Sequence, residues 1–484
     1  MSQNVTAPLT ATRQPGGMQA ALLRRVCGAL SCGSLAINTP EGVRLHHRAE
    51  TPGPEAEITL HRWRTLRRLF FGGDVGFAES YMDGDWDTPD LTALIELGAH
   101  NSHSLDNLVQ GTALMRGVHR LLHLKRANTR SGSKRNIQAH YDLGNEFYAR
   151  WLDAGMSYSS ALYPRADLTL EQAQAAKQDR VLELLGLAPG DSVLEIGIGW
   201  GGLAERLVQA GAQVTGLTLS PAQLEKARQR LAGTTAELHL RDYRDEAAQH
   251  DRIVSIEMLE AVGEEYWPSY FAQLKRCLKP GGRAVLQVIT IADDRFQQYR
   301  RNADFIQRYV FPGGMLPSPS VMHEQVAQAG LRVVAQQNFG QDYARTLAEW
   351  HRRFEAAWPG IAAMGFPPRF RRLWTYYLCY CEAGFRAAAL DVGLWQLEHA
   401  EGSPAAPSCW PAPPARRAPR CPPATAWPSR CSATAARSAA MCWSSPPGRT
   451  AWRSASRSTS PSASARSSCS ATACAAPSNG AAAR

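Results

Sequence analysis

Nowhere does this 484-residue chain hold the run of roughly 18 or more apolar residues that a membrane-crossing helix needs. Its start, MSQNVTAPLTATRQPGGMQ, lacks the charged-then-apolar order of a secretory signal. None of the 11 cysteines falls in a CxxC pair, and Cys379 and Cys381 stand two apart in an aromatic stretch, which suits neither a zinc site nor a normal disulfide. These absences point to a cytoplasmic protein without a structural metal.

Other absences are local. From Ser403 to Arg484 there is no Asp, Glu or Lys, and no Leu, Ile, Val, Phe, Tyr, His or Gln, while there are ten Arg. Without large aliphatic side chains a segment cannot offset the entropy of ordering its backbone, so residues 403–484 are expected to be a disordered tail. The same residue set is what an out-of-frame reading of GC-rich DNA gives, and a frameshifted terminus is the expectation. The formal charge of +10 belongs to that tail. Removing its ten Arg from the chain's 53 Lys and Arg leaves 43, against 43 Asp and Glu. The basic balance is therefore no argument for nucleic acid as a partner.

Upstream, residues 20–113 form a first domain with short strand patterns at Ala36 to Asn38 and Glu57 to Leu60, an amphipathic stretch from Trp63 to Phe71, and a turn-rich run from Tyr81 to Asp90. Residues 114–135 read as a linker helix. Leu114, Met115, Val118, Leu121, Leu122 and Leu124 recur near helical spacing, and Arg116, Arg120, Lys125 and Arg126 accompany them with no acidic residue between Asp106 and Asp142. A basic amphipathic helix suits an anionic membrane surface, and equally an interdomain helix with a solvated face. Residues 136–402 form a second, larger domain. From Val181 its pattern alternates helix and strand: DSVLEIGIG, AQVTGLTLS, AELHLRDY, DRIVSIEML and RAVLQVITI are strand runs with helical runs between the first of them. That alternation predicts an α/β fold with a doubly wound, mainly parallel sheet, accompanied by a smaller N-terminal α+β domain.

The strongest local signal lies where the first of those strands ends, at Glu195, Gly197, Gly199 and Gly201. Ligands of doubly wound sheets bind beyond the strand C-termini, and glycines there let the backbone come close and turn sharply. A glycine-rich turn alone serves a dinucleotide, a phosphate or only a tight turn. Three details favour S-adenosylmethionine. Glu195 can hold an ammonium and would repel a pyrophosphate. The spacing is GxGxGG and not the dinucleotide GxGxxG. Asp242 and Tyr243 follow the third strand, placed to meet an adenine amino group and its ring. The second strand ends without the usual acidic residue, leaving Thr218 and Gln223 as polar substitutes, with Ser220 as a helix cap.

A set of ordered motifs then resembles the cyclopropane-fatty-acid synthases: YDLGNEFYARWLD from Tyr141, MSYSSALY from Met156, EIGIGWGGLA from Glu195, GLTLSPAQ from Gly216, RDYRD from Arg241, RIVSIEMLEAVG from Arg252, YVFPGGMLPS from Tyr309, DYARTLAEWHRRF from Asp342, TYYLCYCEAGFRA from Thr375 and DVGLWQLE from Asp391. The resemblance covers residues 55 to 398 and stops just before the tail. It implies a class I methyltransferase that alkylates the double bond of a phospholipid acyl chain, with peripheral contact to the inner face of the membrane; a homodimer is left open. It also implies cofactor contacts at Tyr158 and Ser159, the Gly197 to Gly201 turn, Thr218 to Gln223, and Tyr243 with Arg244. Glu260, Tyr343, Ser160, Gln287 and the backbone of Ile289 correspond to the family's bicarbonate site, with Glu260 orienting the bicarbonate or acting as base itself.

Cys381 matches a cysteine long treated as an active-site residue, and is read here as a buried helix cysteine. Two departures stand out, Ser160 for a cysteine and Gln287 for a histidine. Both side chains still hydrogen-bond an anion, but Gln287 cannot take up a proton. Proton loss that closes a ring gives a cyclopropane; loss without closure gives a methylene branch. Two rival readings are a methyltransferase for a soluble small molecule and a non-catalytic lipid-binding module.

Overall fold

Val193 and Leu194 begin the pattern that builds the main sheet: neighbours on one strand face opposite cores. A computed structural model describes residues 17–102, 104–105, 143–301 and 303–400. The basic segment 114–135, Tyr141 and the tail 403–484 lie outside the described residues. In the main sheet the strands are β5 (Ser192–Ile196), β6 (Gln213–Thr218), β7 (Glu237–Leu240), β8 (His250–Ile256), β9 (Leu278–Ile291), β10 (Leu331–Asn338) and β11 (Leu390–His399), in the order β10-β11-β9-β8-β5-β6-β7. The run β9-β8-β5-β6-β7 is parallel, as the alternation predicts. β11 pairs antiparallel with both β9 and β10, an edge the sequence pattern does not foretell.

Val193, Val254 and Val285 enter one core and Leu194, Ile253 and Leu286 the other, which explains why these strands are almost continuously apolar. The chain winds from β5 to β6 and β7 on one side, then returns to β8 and β9 on the other. The crevice between the ends of β5 and β8 is thereby the switch point at which such sheets bind ligands.

A smaller sheet precedes it, with β1 (Cys32–Asn38), β2 (Arg44–Arg48), β3 (Thr51–Leu60) and β4 (Trp86–Asp87) in the order β2-β1-β3-β4. The amphipathic stretch after Trp63 becomes the helix Arg64–Met82, bent at Gly73, whose φ of 63° no helix interior accepts. This layer has no core of its own. Leu35, Ile37, Ile58, Leu60 and Trp86 belong to the same buried cluster as Val193 and Leu394 of the main sheet.

Helix Pro368–Arg386 ties the layers together. Arg372 donates to the carbonyls of Tyr81 and Trp86 and lies 4.0 Å over the Tyr81 ring, and Thr92 Oγ1 donates to Glu382 Oε2 at 3.1 Å. Among the described residues no helix is long and apolar enough to cross a membrane.

Candidate active site

At the end of β5 the chain turns through Gly197, Gly199 and Gly201 at φ 88°, 56° and 84° before helix Gly202–Gln209 begins. Side chains with a Cβ are uncomfortable at these angles. Gly199 has open space where a Cβ would stand, whereas a Cβ on Gly201 would come within 3.2 Å of the Ala227 methyl. Gly197 and Gly199 line a cavity of about 820 Å³; Gly201 is not among its lining residues and serves the approach of two helices.

Behind the turn, Glu195 is buried and its Oε2 has no hydrogen-bond partner. Burial pushes its carboxyl up to about 8 against the pull of Lys177. Lys177, from the capped helix Leu170–Leu185, is itself buried and donates to Ser159 Oγ at 2.7 Å. Burial lowers its affinity for a proton, and Glu257, Asp153 and Glu195 oppose that. One lysine thus serves three carboxyl groups.

The other expected cofactor residues converge on the same cavity. Tyr158, Ser159, Thr218, Gln223, Asp242, Tyr243 and Arg244 all line it. Thr218 Oγ1 donates to Gln223 Oε1 at 3.0 Å, and Ser220 caps the helix Pro221–Arg230 by accepting from Gln223 N, as expected. Asp242 does more than face the cavity: its carboxylate accepts from Arg244 Nε at 2.8 Å and Nη2 at 2.6 Å. Tyr158 and Tyr377 join hydroxyls at 2.8 Å. An unpartnered buried carboxyl behind a glycine turn with clear space at Gly199 fits a ligand with an ammonium group, and the ring of Tyr243 suits an adenine.

The expected anion site is arranged differently from the sequence expectation. Glu257, which the motifs do not single out, occupies its centre. Its Oε1 accepts from the Ser160 backbone N–H at 2.8 Å and from Gln287 Nε2 at 2.6 Å; its Oε2 accepts from the Tyr343 hydroxyl at 2.7 Å. The fifth expected contact, the Ile289 N–H, donates to Glu260 Oε1 at 2.6 Å. The Ser160 hydroxyl was expected to hold an anion; it donates to the Ala161 carbonyl at 3.0 Å. Ser160 and Gln287 are fully buried and stand behind Glu257, outside the cavity lining, whereas Glu257, Glu260, Ile289 and Tyr343 line it. The residues present do not fit a bicarbonate, because protein carboxyl groups already take the donors that would hold it.

Glu257 has φ 48°, a left-handed conformation for a residue with a side chain. Such a position costs on the order of 1–3 kcal/mol and survives where the surroundings over-determine it. Here its own N–H donates to the Gln287 carbonyl at 2.8 Å, next to the β8–β9 pair Ile256 and Gln287. Burial raises the Glu257 carboxyl, while Ser160, Tyr343, Lys177 and Gln287 hold it down. Every contact it makes is a donor, so the ionised form is the one the site recognises. Glu260, three residues on, is pushed up to about 8 by burial and by the charge of Glu257, and its Oε2 has no partner. Of the two, Glu260 is the one held mostly as the neutral acid near pH 7.

Around this pair, the rings of Tyr158, Tyr343, Tyr377 and Phe385 line the cavity, with Tyr343 4.6 Å from Phe385. Burial and Glu257 keep the Tyr343 phenol far from ionising. Cys381 lines the cavity too, and its enclosed position pushes its thiol well above the ordinary range, so it offers no thiolate. The cavity is not confined to the sheet edge. It continues to Leu23, Leu35, Ile37, Ile58, Leu60 and Leu66 of the N-terminal layer. Most of its lining is apolar, with charged side chains at the glycine turn and again at Asp74, Asp294, Arg295 and Asp304.

The family model described as mycolic acid cyclopropane synthetase matches residues 128–396. The tuberculostearic acid methyltransferase UfaA1 of Mycobacterium tuberculosis is 40% identical over 367 residues, 72% of this chain and 84% of that protein. The cyclopropane-fatty-acyl-phospholipid synthase of Escherichia coli K12 is 38% identical over 358 residues, 72% of this chain and 88% of that protein. Among solved structures, the mycolic acid cyclopropane synthase CmaA1 complexed with SAH and CTAB matches with a TM-score of 0.52 at 32% identity, covering 55% of this chain and 97% of its own. The cyclopropane synthase MmaA2 from Mycobacterium tuberculosis matches with the same TM-score and coverage at 31% identity.

Proposed function

The chain belongs to the mycolic acid cyclopropane synthetase family and is an S-adenosylmethionine-dependent fatty-acyl methyltransferase, and we propose that it converts the double bond of an unsaturated phospholipid acyl chain into a cyclopropane. The observation that carries this reading is the lining of the cavity. It runs from apolar side chains of the N-terminal layer to the glycine turn and a pair of half-buried carboxyl groups. An acyl chain fills the apolar length, and its double bond comes to rest at the polar end. A soluble small molecule would leave most of that length empty.

When bound, S-adenosylmethionine supplies a methyl group made electrophilic by its sulfonium. Glu195 would hold its ammonium end, the backbone at Gly197 and Gly199 would admit it closely, Asp242, Tyr243 and Arg244 would hold the adenine, and Thr218 and Gln223 the ribose. An isolated alkene is a weak nucleophile, so the walls of the channel act chiefly by holding it in line. Once the alkene has taken up the methyl group, a cation stands on the neighbouring carbon. The faces of Tyr158, Tyr343 and Tyr377 stabilise it without forming a bond. A carboxylate at the polar end then removes a proton from the added carbon. No step is assigned to bicarbonate.

Ring closure is supported by the cyclopropane synthases among the relatives, at 31–38% identity. A second reading, proton loss without closure to give a methylene branch that later becomes a methyl branch, is favoured by the 40% identity to the tuberculostearic acid methyltransferase. The test is to offer vesicles of cis-unsaturated and of saturated phospholipid and to analyse the acyl chains before and after hydrogenation. A product heavier by CH₂ that takes up no hydrogen, formed only from the unsaturated lipid, is the expected result. A product that takes up hydrogen replaces the ring by the branch, and an unchanged acyl chain rejects the substrate.

A further inference from the structure

The donors that the family resemblance assigns to a bicarbonate are occupied by a side chain of this protein. We propose that Glu257 is a built-in substitute for that anion: its carboxylate sits among the Ser160 N–H, Gln287 amide and Tyr343 hydroxyl and is itself the base that takes the proton from the methylated acyl cation. The proposal rests on the acyl-methylation reading above for the identity of the proton donor, but the occupancy of the anion site can be measured without any substrate.

Three independent features converge on Glu257. Two oxygens accept three hydrogen bonds from residues 97, 30 and 86 positions away in the chain, an arrangement only the folded site assembles. The backbone is held at φ 48° to place that carboxylate there. Glu257 also borders the cavity, whereas Ser160 and Gln287, two of its three donors, are shielded behind it. A free anion on the cavity side would meet the negative charge of Glu257 in place of their N–H groups.

The replacement of the family histidine by Gln287 follows from the same arrangement. A carboxylate needs a neutral N–H donor beside it, and an imidazolium would draw down the basicity of the group that must take a proton. The Gln287 amide is oriented by Glu257, since its oxygen cannot face a carboxylate. Glu260, on the other side, holds the Ile289 N–H and remains a neutral acid near pH 7, so that Glu257 is not opposed by a second full charge.

In the step assigned to Glu257 a C–H bond of the added methyl breaks. Its electron pair closes the third C–C bond onto the cationic carbon, and the proton passes to a Glu257 oxygen. Charge balances: the cation and the carboxylate become a neutral ring and a neutral carboxylic acid. The acid is later deprotonated by solvent when the product leaves.

The experiment has a binding arm and a rate arm on the full-length protein. In the binding arm, ¹³C-labelled bicarbonate is titrated and followed by NMR line broadening. Wild type is expected not to bind it, and Glu257→Gly to bind it, because the substitution opens an anion-sized space lined by the freed donors. Glycine is at ease at φ 48°, which favours folding of this variant. Equal bicarbonate binding by the two proteins overturns the proposal, and this outcome is independent of the lipid substrate.

In the rate arm, wild type is expected to keep its methyl-transfer rate when bicarbonate is stripped from the buffer. Glu257→Gln, which keeps the volume, should lose roughly a hundredfold or more with an unchanged Kd for S-adenosylmethionine and no response to added bicarbonate. Glu257→Gly should lose as much and regain part of it on adding bicarbonate. A wild type that stops without bicarbonate and recovers with it, or a Glu257→Gln variant at wild-type rate, contradicts the assignment. Absence of any acyl methylation by wild type would instead remove the proposed substrate, leaving the binding arm to decide on the site.

Discussion

Glu257 and Gln287 are tied to one another twice, by the Gln287 Nε2 donating to Glu257 Oε1 at 2.6 Å and by the Glu257 backbone N–H donating to the Gln287 carbonyl at 2.8 Å. The side chain that tunes the carboxylate is thereby fixed by the backbone of the carboxylate's own residue. A neutral amide makes that tuning independent of pH.

Substituting Gln287→His should end that independence. The imidazole gains a charge as pH falls, and the cation beside Glu257 stabilises the carboxylate and weakens it as a base. The variant's rate should fall more steeply than that of wild type on the acid side, with an unchanged Kd for S-adenosylmethionine. Superimposable pH–rate profiles would show that the group at 287 does not act on the proton-transfer step.

Glu195 gives a linkage that can be measured without turnover. Burial pushes its carboxyl up to about 8, which favours the protonated form at neutral pH, and holding an ammonium favours its ionised form. Binding of S-adenosylmethionine below pH 8 should release a proton; above that pH the proton is already gone. Calorimetry near neutral pH in two buffers of different ionisation enthalpy should show close to one proton released by wild type and almost none by Glu195→Gln. Equal release by both proteins would separate Glu195 from the ligand.

The glycine turn offers a steric test. Gly199 has a φ of 56° and no heavy atom within 4 Å of where a Cβ would stand, so Gly199→Ala meets no neighbour in the free protein and bears only the left-handed penalty, about 1–2 kcal/mol. The added methyl points into the space meant for the ligand. Its Kd for S-adenosylmethionine should rise by more than tenfold, with a fall of only a few degrees in Tm. A matching loss in both would mean that the glycine serves the turn alone.

Much of this arrangement was legible in the residues. The strands from DSVLEI to RAVLQVITI, the glycine turn and the Ser220 cap each follow from a pattern a few residues long. Two things were not. The antiparallel edge of β10 and β11 escaped because β11, LDVGLWQLEH, follows a long helical stretch and pairs with β9 about a hundred residues earlier. Glu257 escaped for a different reason. In SIEMLE the family pattern singles out Glu260, and Glu257 reads as the end of a strand. Only its partners reveal it, and they arrive from 30 to 97 residues away. The signal available was the coincidence of an extra acid after the strand with Gln287 in place of a histidine.

The basic segment Leu114 to Arg126 lies outside the described residues, and its charge pattern alone motivates the next expectation. Reversing the charges of Arg116, Arg120, Lys125 and Arg126 together should weaken sedimentation with anionic vesicles, and added salt should weaken that of wild type. Sedimentation unchanged by either would assign the segment to a solvated linker.

The central claim is that a methyl group reaches an acyl double bond and loses a proton there. Its most direct measurement uses S-adenosylmethionine with a fully deuterated methyl group and vesicles of cis-unsaturated phospholipid, followed by mass analysis of the acyl chains. The account predicts one added carbon that carries two of the three deuterium atoms, the third having been taken by the base. An acyl chain carrying all three, or label found only outside the acyl chain, would contradict it.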